Sequence, residues 1–246
     1  MTDAMEARTV TITGHGGHEI EAYLARPLAD TPRGGVVVIH HMPGYDIQTK
    51  EIVRRFAAEG FASICPNLYT REAPGAAPDD AAATVRAQGG VPDERLVGDV
   101  DGAAKYLNSL PGANGKIGVI GYCSGGRQSF LAACSLKLDA AVDCYGAYVV
   151  NTPPEGAPMK TAILDKAENL SCPLLGLFGA DDTFPGPEET AKLSAELDRL
   201  GKPHEFHTYE GAGHAFFAVN RPAYRPEAAT DGWARILDFY GKHLAA

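Results

Sequence analysis

The sequence has one tryptophan in 246 residues and only five cysteines, an odd number with no close pair suited to a metal site or a disulfide framework. It has no apolar run near the roughly 18 residues of a membrane span, and its start, Met1-Thr2-Asp3-Ala4-Met5-Glu6-Ala7-Arg8, has neither the basic nor the apolar part of a signal peptide. Positive charge is also scarce. Lysine and arginine number 22 against 31 acidic residues, a formal net charge of −9, which argues against nucleic acid or an anionic membrane surface as partner. No internal repeat and no linker-like stretch divides the chain. These absences imply a soluble, cytoplasmic protein with reduced thiols, folded as a single domain over 1–246.

What is present is an alternation of strand-like and helix-like stretches, the mark of an α/β protein with a mostly parallel central sheet and helices on both faces. Thr9–Thr13 and Ile20–Arg26 form an opening hairpin around Gly14, Gly16 and Gly17. Gly35–His40 is a continuous β-branched run, as in a strand buried on both faces, and a helix follows with Ile52, Val53, Phe56 and Ala57 on one face. Phe61–Pro66 is the next strand. Asn67 to about Arg95 is rich in Ala, Gly, Pro and Asp and reads as an irregular cap or wall over a site, with a short helix around Ala81–Ala87. Leu96–Leu110 is helical; strands follow at 117–122, 140–145, 173–178 and 204–209, with helices after the first, third and fourth.

The strand Ile117–Tyr122 runs into Gly121-x-Cys123-x-Gly125 and then an apolar helix. With 28 glycines and five cysteines, chance supplies this pattern roughly 0.06 times in such a chain. A strand-to-helix turn flanked by glycines is the nucleophile elbow of α/β-hydrolases, which lifts one side chain above the sheet at a helix N-terminus. There the dipole and free N–H groups favour a thiolate and the oxyanion it forms. Cys123 is therefore the candidate nucleophile, whereas Cys65, Cys134, Cys144 and Cys172 lie in apolar stretches and read as buried packing residues.

Hydrolases of this kind place nucleophile, acid and base in that chain order, each after a strand, and Cys123, Asp182 and His214 satisfy it. His214 is the base that takes the thiol proton and later protonates the leaving oxygen, and Asp182 fixes its tautomer. Asp181 competes for the acid role, but the strand-Gly-x-x-Asp spacing favours Asp182. The oxyanion donors expected are the backbone N–H groups of Ser124 and Met42.

These motifs resemble the dienelactone hydrolase (carboxymethylenebutenolidase) family from Val10 onward. The stretches that carry the resemblance are 118–126, Pro66-Asn67-Leu68-Tyr69, 179–184, Gly211-Ala212-Gly213-His214-Ala215-Phe216 and the segment from Arg221-Pro222 to Tyr240. The resemblance implies a hydrolase without cofactor or metal that opens enol-lactones through a cysteinyl ester, with Asp182 as the acid. Two positions depart from the family. Where it has a glutamate that contacts the nucleophile and helps generate the thiolate, this chain has His41, which alternation turns toward the site while His40 turns away. Where it has a carboxylate-binding arginine four residues after the histidine, this chain has Ala218, leaving Arg71, Arg86, Arg127 and Arg221, with Tyr122 of the elbow, as substrate-binding candidates. The expected partner is a small-molecule ester or lactone, and the expected state a monomer or small homo-oligomer. Two other readings are a thiol redox protein using Cys123 and a non-catalytic ligand-binding homologue.

Overall fold

The structure is a computed structural model that describes residues 5–28 and 34–245. Two nine-residue strands open it, β1 (Met5–Thr13) and β2 (Glu19–Pro27), paired antiparallel along their whole length from Met5 opposite Pro27 to Thr13 opposite Glu19. β1 starts four residues before the expected hairpin. Its first half buries no side chain because it is a sheet edge, so it lacks the apolar alternation by which a strand is recognised. The succession continues with β3 (Gly35–Ile39), α1 (Ile47–Ala58), β4 (Ala62–Pro66), α2 (Pro78–Ala87), α3 (Asp93–Asn108), β5 (Ile117–Tyr122), α4 (Ser124–Ser135), β6 (Ala140–Cys144), β7 (Leu174–Gly179), α5 (Pro187–Arg199), β8 (His204–Tyr209) and α6 (Pro226–His243).

The eight strands form one sheet in the order β1-β2-β4-β3-β5-β6-β7-β8, antiparallel at the β1–β2 and β2–β4 pairs and parallel from β4 onward. This is the α/β-hydrolase fold, with the central strands buried on both faces. One face carries Val85, Val100, Phe130 and Leu193 from α2, α3, α4 and α5, and the other carries Val53 and Phe56 of α1 with Trp233, Ile236 and Tyr240 of α6. Because β3, β5, β6 and β7 run the same way, their C-terminal ends converge on one rim, where side chains for chemistry collect.

The segment 67–95 is more ordered than its composition suggested. It holds α2, opened by Pro78 in the first turn with Asp79 and Asp80 at its positive end, and the first turn of α3, which begins at Asp93 after Pro92. Ala-rich helices with few large apolar residues carry weak periodicity, and α2 buries only Ala81, Ala82 and Val85. A further 3-10 segment over Leu164–Asn169, not expected from the sequence, precedes β7. Among the described residues, no helix is long and apolar enough to cross a membrane.

Candidate active site

Cys123 sits between β5 and α4 with φ 57° and ψ −122°, a backbone conformation that L-residues rarely adopt. Its N–H donates to the Cys144 carbonyl at 3.0 Å, and its carbonyl accepts from Gly126 at 2.9 Å, so the strain is held from both sides. A Cβ on Gly121 would collide with the Gly125 carbonyl, and one on Gly125 with the Ile39 carbonyl. Only glycine lets α4 approach β5 and β3 this closely. The thiol is half-buried, and the other four cysteines are buried.

His214, in the loop after β8, places Nδ1 2.9 Å from Oδ2 of Asp182. The other oxygen of Asp182 accepts the Phe184 N–H at 2.8 Å, and the side chain is almost wholly buried. Asp181 is exposed, and its N–H donates to the Ala212 carbonyl. Burial pulls the His214 imidazole down, but the hydrogen bond and charge of Asp182, with the Cys123 sulfur beside it, outweigh it and raise the group to about 10. The Tyr145 ring lies edge-on to His214 at 5.0 Å between centroids. Cys123 and Asp182 thus flank one imidazole.

The loop 40–46 after β3 brings two histidines to this rim. His40 is buried; its Nε2 accepts the Leu68 N–H at 3.2 Å, so Nδ1 carries the proton and donates to the His41 carbonyl at 3.0 Å. Burial lowers it to about 4, despite that second hydrogen bond, which leaves it a neutral strut joining the loops after β3 and β4. His41 lines the cavity, but its Nε2 lies 3.2 Å from Oδ2 of Asp46. Asp46 also caps α1 by accepting the Thr49 N–H at 2.8 Å. Its burial favours the neutral carboxyl, yet the His41 and Thr49 hydrogen bonds hold it down at about 2. Among the described residues, the Met42 and Ser124 N–H groups donate no hydrogen bond, so both are free for a ligand.

A cavity of about 390 Å³ opens over Cys123 and His214, within the usual size range for small-molecule sites. His41, Met42, Tyr122, Tyr145, Phe217 and Trp233 wall it, joined by Arg221 and by Gln48, Ile52 and Arg55 of α1. Of the substrate-binding candidates, Arg221 and Tyr122 line it. Arg71 does not: it is forked onto Asp99 through two 2.8 Å hydrogen bonds. Arg127 is buried and bonded to Asp93 and the Thr161 carbonyl. Arg86 lies outside the cavity near Tyr69, whose hydroxyl is raised to about 12 by burial, with Arg86 opposing and Cys123 adding to the shift. Arg55 escaped the sequence reading. Gln48, Ile52 and Arg55 share a stripe at helical spacing beside the apolar face of α1, and the Arg55 guanidinium stands 4.0 Å over the Trp233 ring. A second cavity of about 410 Å³, lined by Gly35, Ala62 and Ile117, lies at the opposite ends of the strands and, among the described residues, holds no acid–base pair beside a nucleophile.

The model of the family described as "Dienelactone hydrolase family" matches residues 20–244. A Yersinia pestis protein provisionally named a carboxymethylenebutenolidase is 35% identical over 237 residues, covering 92% of this chain and 85% of its own. The carboxymethylenebutenolidase of Pseudomonas putida is 31% identical over 235 residues and 94% of each chain. A crystal structure from Klebsiella pneumoniae, provisionally named a dienelactone hydrolase, superposes with a TM-score of 0.86 at 30% identity, covering 98% of this chain and all of its own.

Proposed function

Because the chain belongs to the dienelactone hydrolase family and is an ester or lactone hydrolase, we propose that it works through Cys123 and a covalent acyl-cysteine. The observation that carries this reading is a strained, glycine-flanked Cys123 beside an imidazole whose far nitrogen is held by Asp182. His214 takes the thiol proton, and the thiolate attacks the carbonyl carbon to form a C–S bond and an oxyanion facing the Met42 and Ser124 N–H groups. Collapse breaks the C–O bond, and His214 returns its proton to the leaving oxygen. Water, deprotonated by His214, then attacks the acyl-cysteine, and C–S cleavage regenerates the thiol.

The cavity wall is mainly aromatic and aliphatic, and among the described residues its one carboxylate, Glu51, is paired with Arg54 and neither Arg55 nor Arg221 has a carboxylate partner. This supports a substrate with an apolar body and an anionic end. The continuous sheet supports reading the chain as one catalytic domain, whereas no residue of 67–95 lines the cavity, so the expected wall is reduced to Tyr69 standing near Cys123. The test is turnover of chromogenic esters and lactones, neutral and carboxylate-bearing, before and after thiol alkylation. Loss of all activity on alkylation and a lower KM for the carboxylate-bearing members are expected; activity that survives alkylation overturns the cysteine mechanism.

His41 faces the cavity with its Nε2 turned to Asp46 rather than to sulfur. We therefore place its role in holding the Met42 loop against α1, with thiol activation left to His214. His41→Ala should lower turnover severalfold by loosening the Met42 donor while leaving the pH profile of Cys123 alkylation in place. A displaced alkylation profile would return His41 to thiol activation.

A further inference from the structure

Asp143, at the C-terminal end of β6, is fully buried and takes no part in the triad. Its Oδ1 accepts the Gly146 N–H at 2.7 Å, and among the described residues Oδ2 has no partner. The carboxyl is wedged between the first turn of α4 and the turn after β6, since a Cβ on either Gly126 or Gly146 would strike Oδ1. Further along the same segment, a second buried acid does similar work. Glu189 of α5 accepts the N–H groups of Val150 and Asn151 at 3.3 Å each and the Asn151 amide at 3.1 Å.

The segment 145–151 is thus hung between two buried carboxyl groups. It contains Tyr145 and Tyr148, at φ 44° and 63°, both in the left-handed region that non-glycine residues avoid. Tyr145 presents its ring to His214 at 5.0 Å, and Tyr148 lies 5.9 Å from Phe184, whose N–H binds Asp182. We propose that Asp143 and Glu189 are paired positioning acids that suspend this segment and seat Tyr145 against His214, with the proton on Asp143 as the latch. The inference rests on Cys123 and His214 being the working pair.

Among the described residues, no uncommitted cation faces Asp143. On the sheet its neighbours are Gly121 of β5 and Gly176 of β7, and α5 contributes the Glu189 carboxylate. From α4 comes Arg127, whose guanidinium is committed to Asp93 and the Thr161 carbonyl. Cys144, next in its own strand, is itself pushed up by burial and by Asp143. Burial, with Glu189 adding to it and the Gly146 hydrogen bond opposing, raises Asp143 from 3.8 to about 7. Above that pH the ionised group must be solvated, which opens the 143–146 turn and unseats Tyr145.

The test compares wild type, Asp143→Asn and Glu189→Gln for the rate of Cys123 alkylation by iodoacetamide and for kcat/KM of ester turnover, each against pH. Wild type should show one ionisation near neutrality in both profiles, with kcat/KM falling roughly tenfold above it. Asp143→Asn should lack that ionisation, and Glu189→Gln, relieved of the like charge, should move it to lower pH. Stability gives an independent reading: between 3.8 and about 7 folded Asp143 holds a proton that the unfolded chain has lost, so this group makes stability fall as pH rises through that window. That fall should vanish in Asp143→Asn. An unchanged neutral step in Asp143→Asn overturns the latch; if that variant does not fold, an unmoved step in Glu189→Gln does so. Absence of turnover in wild type sinks the hydrolase reading instead, and the alkylation and stability profiles still decide the latch.

Discussion

Cys123→Ala should abolish hydrolysis while the protein stays folded, and Cys123→Ser should keep a small residual rate. The side chain is half-buried at the edge of the aromatic cluster and alanine keeps its Cβ, whereas the turn is held by the backbone through the Cys144 and Gly126 hydrogen bonds. Both variants keep the free Met42 and Ser124 N–H groups. Only serine keeps a nucleophile, and its hydroxyl is far harder to ionise than a thiol. Steady-state turnover of one activated ester, with thermal melts to show that both variants fold, decides the matter. Unchanged turnover in Cys123→Ala removes the covalent mechanism.

Asp182→Asn is expected to cost up to about 10⁴ in kcat, and Asp181→Asn close to nothing. The asparagine can still accept the Phe184 N–H, so the loop persists, but an amide nitrogen facing His214 Nδ1 inverts the tautomer that the thiol needs. Asp181 is exposed and holds its place through its backbone N–H to Ala212, which the substitution leaves alone. Because Asp182 also helps hold the His214 proton to about 10, its loss should bring the alkaline limb of the rate profile down toward the ordinary histidine range. Equal effects of the two substitutions would reverse the assignment of the acid.

How far the site could be read from the sequence depended on how local each constraint is. The elbow is local: two glycines, one strand and one helix state it within ten residues, and the acid and base sit in loops announced by the strands before them. The hydrogen bond between Asp182 and His214 could be expected because chain order stands for position along the strand ends. Arg221 was picked out and lines the cavity, but Arg71 and Arg127 were illegible for the opposite reason. Arg71 and Arg127 find acids 28 and 34 residues away, on α3, and no spacing rule connects those pairs. Arg55 reads as an ordinary surface residue until α6 lays Trp233 beneath it. The fold behaved alike: the buried strands stood out as β-branched runs, while β1, an edge, and α2, built of alanine, gave faint patterns. The turn at His41 was legible, but its partner was not, because Asp46 reads first as a helix cap.

Trp233 is the sole tryptophan of the chain, and it forms part of the cavity wall under the Arg55 guanidinium, with Phe56 and Phe217 at 5.4 and 6.1 Å. The molecule therefore carries its own optical reporter. All indole emission comes from one ring in the wall of the proposed substrate cavity, and a ligand that drew Arg55 away would exchange a stacked cation for a different dielectric around that ring. Occupancy of the cavity can be followed by light, without a label, in the Cys123→Ala variant.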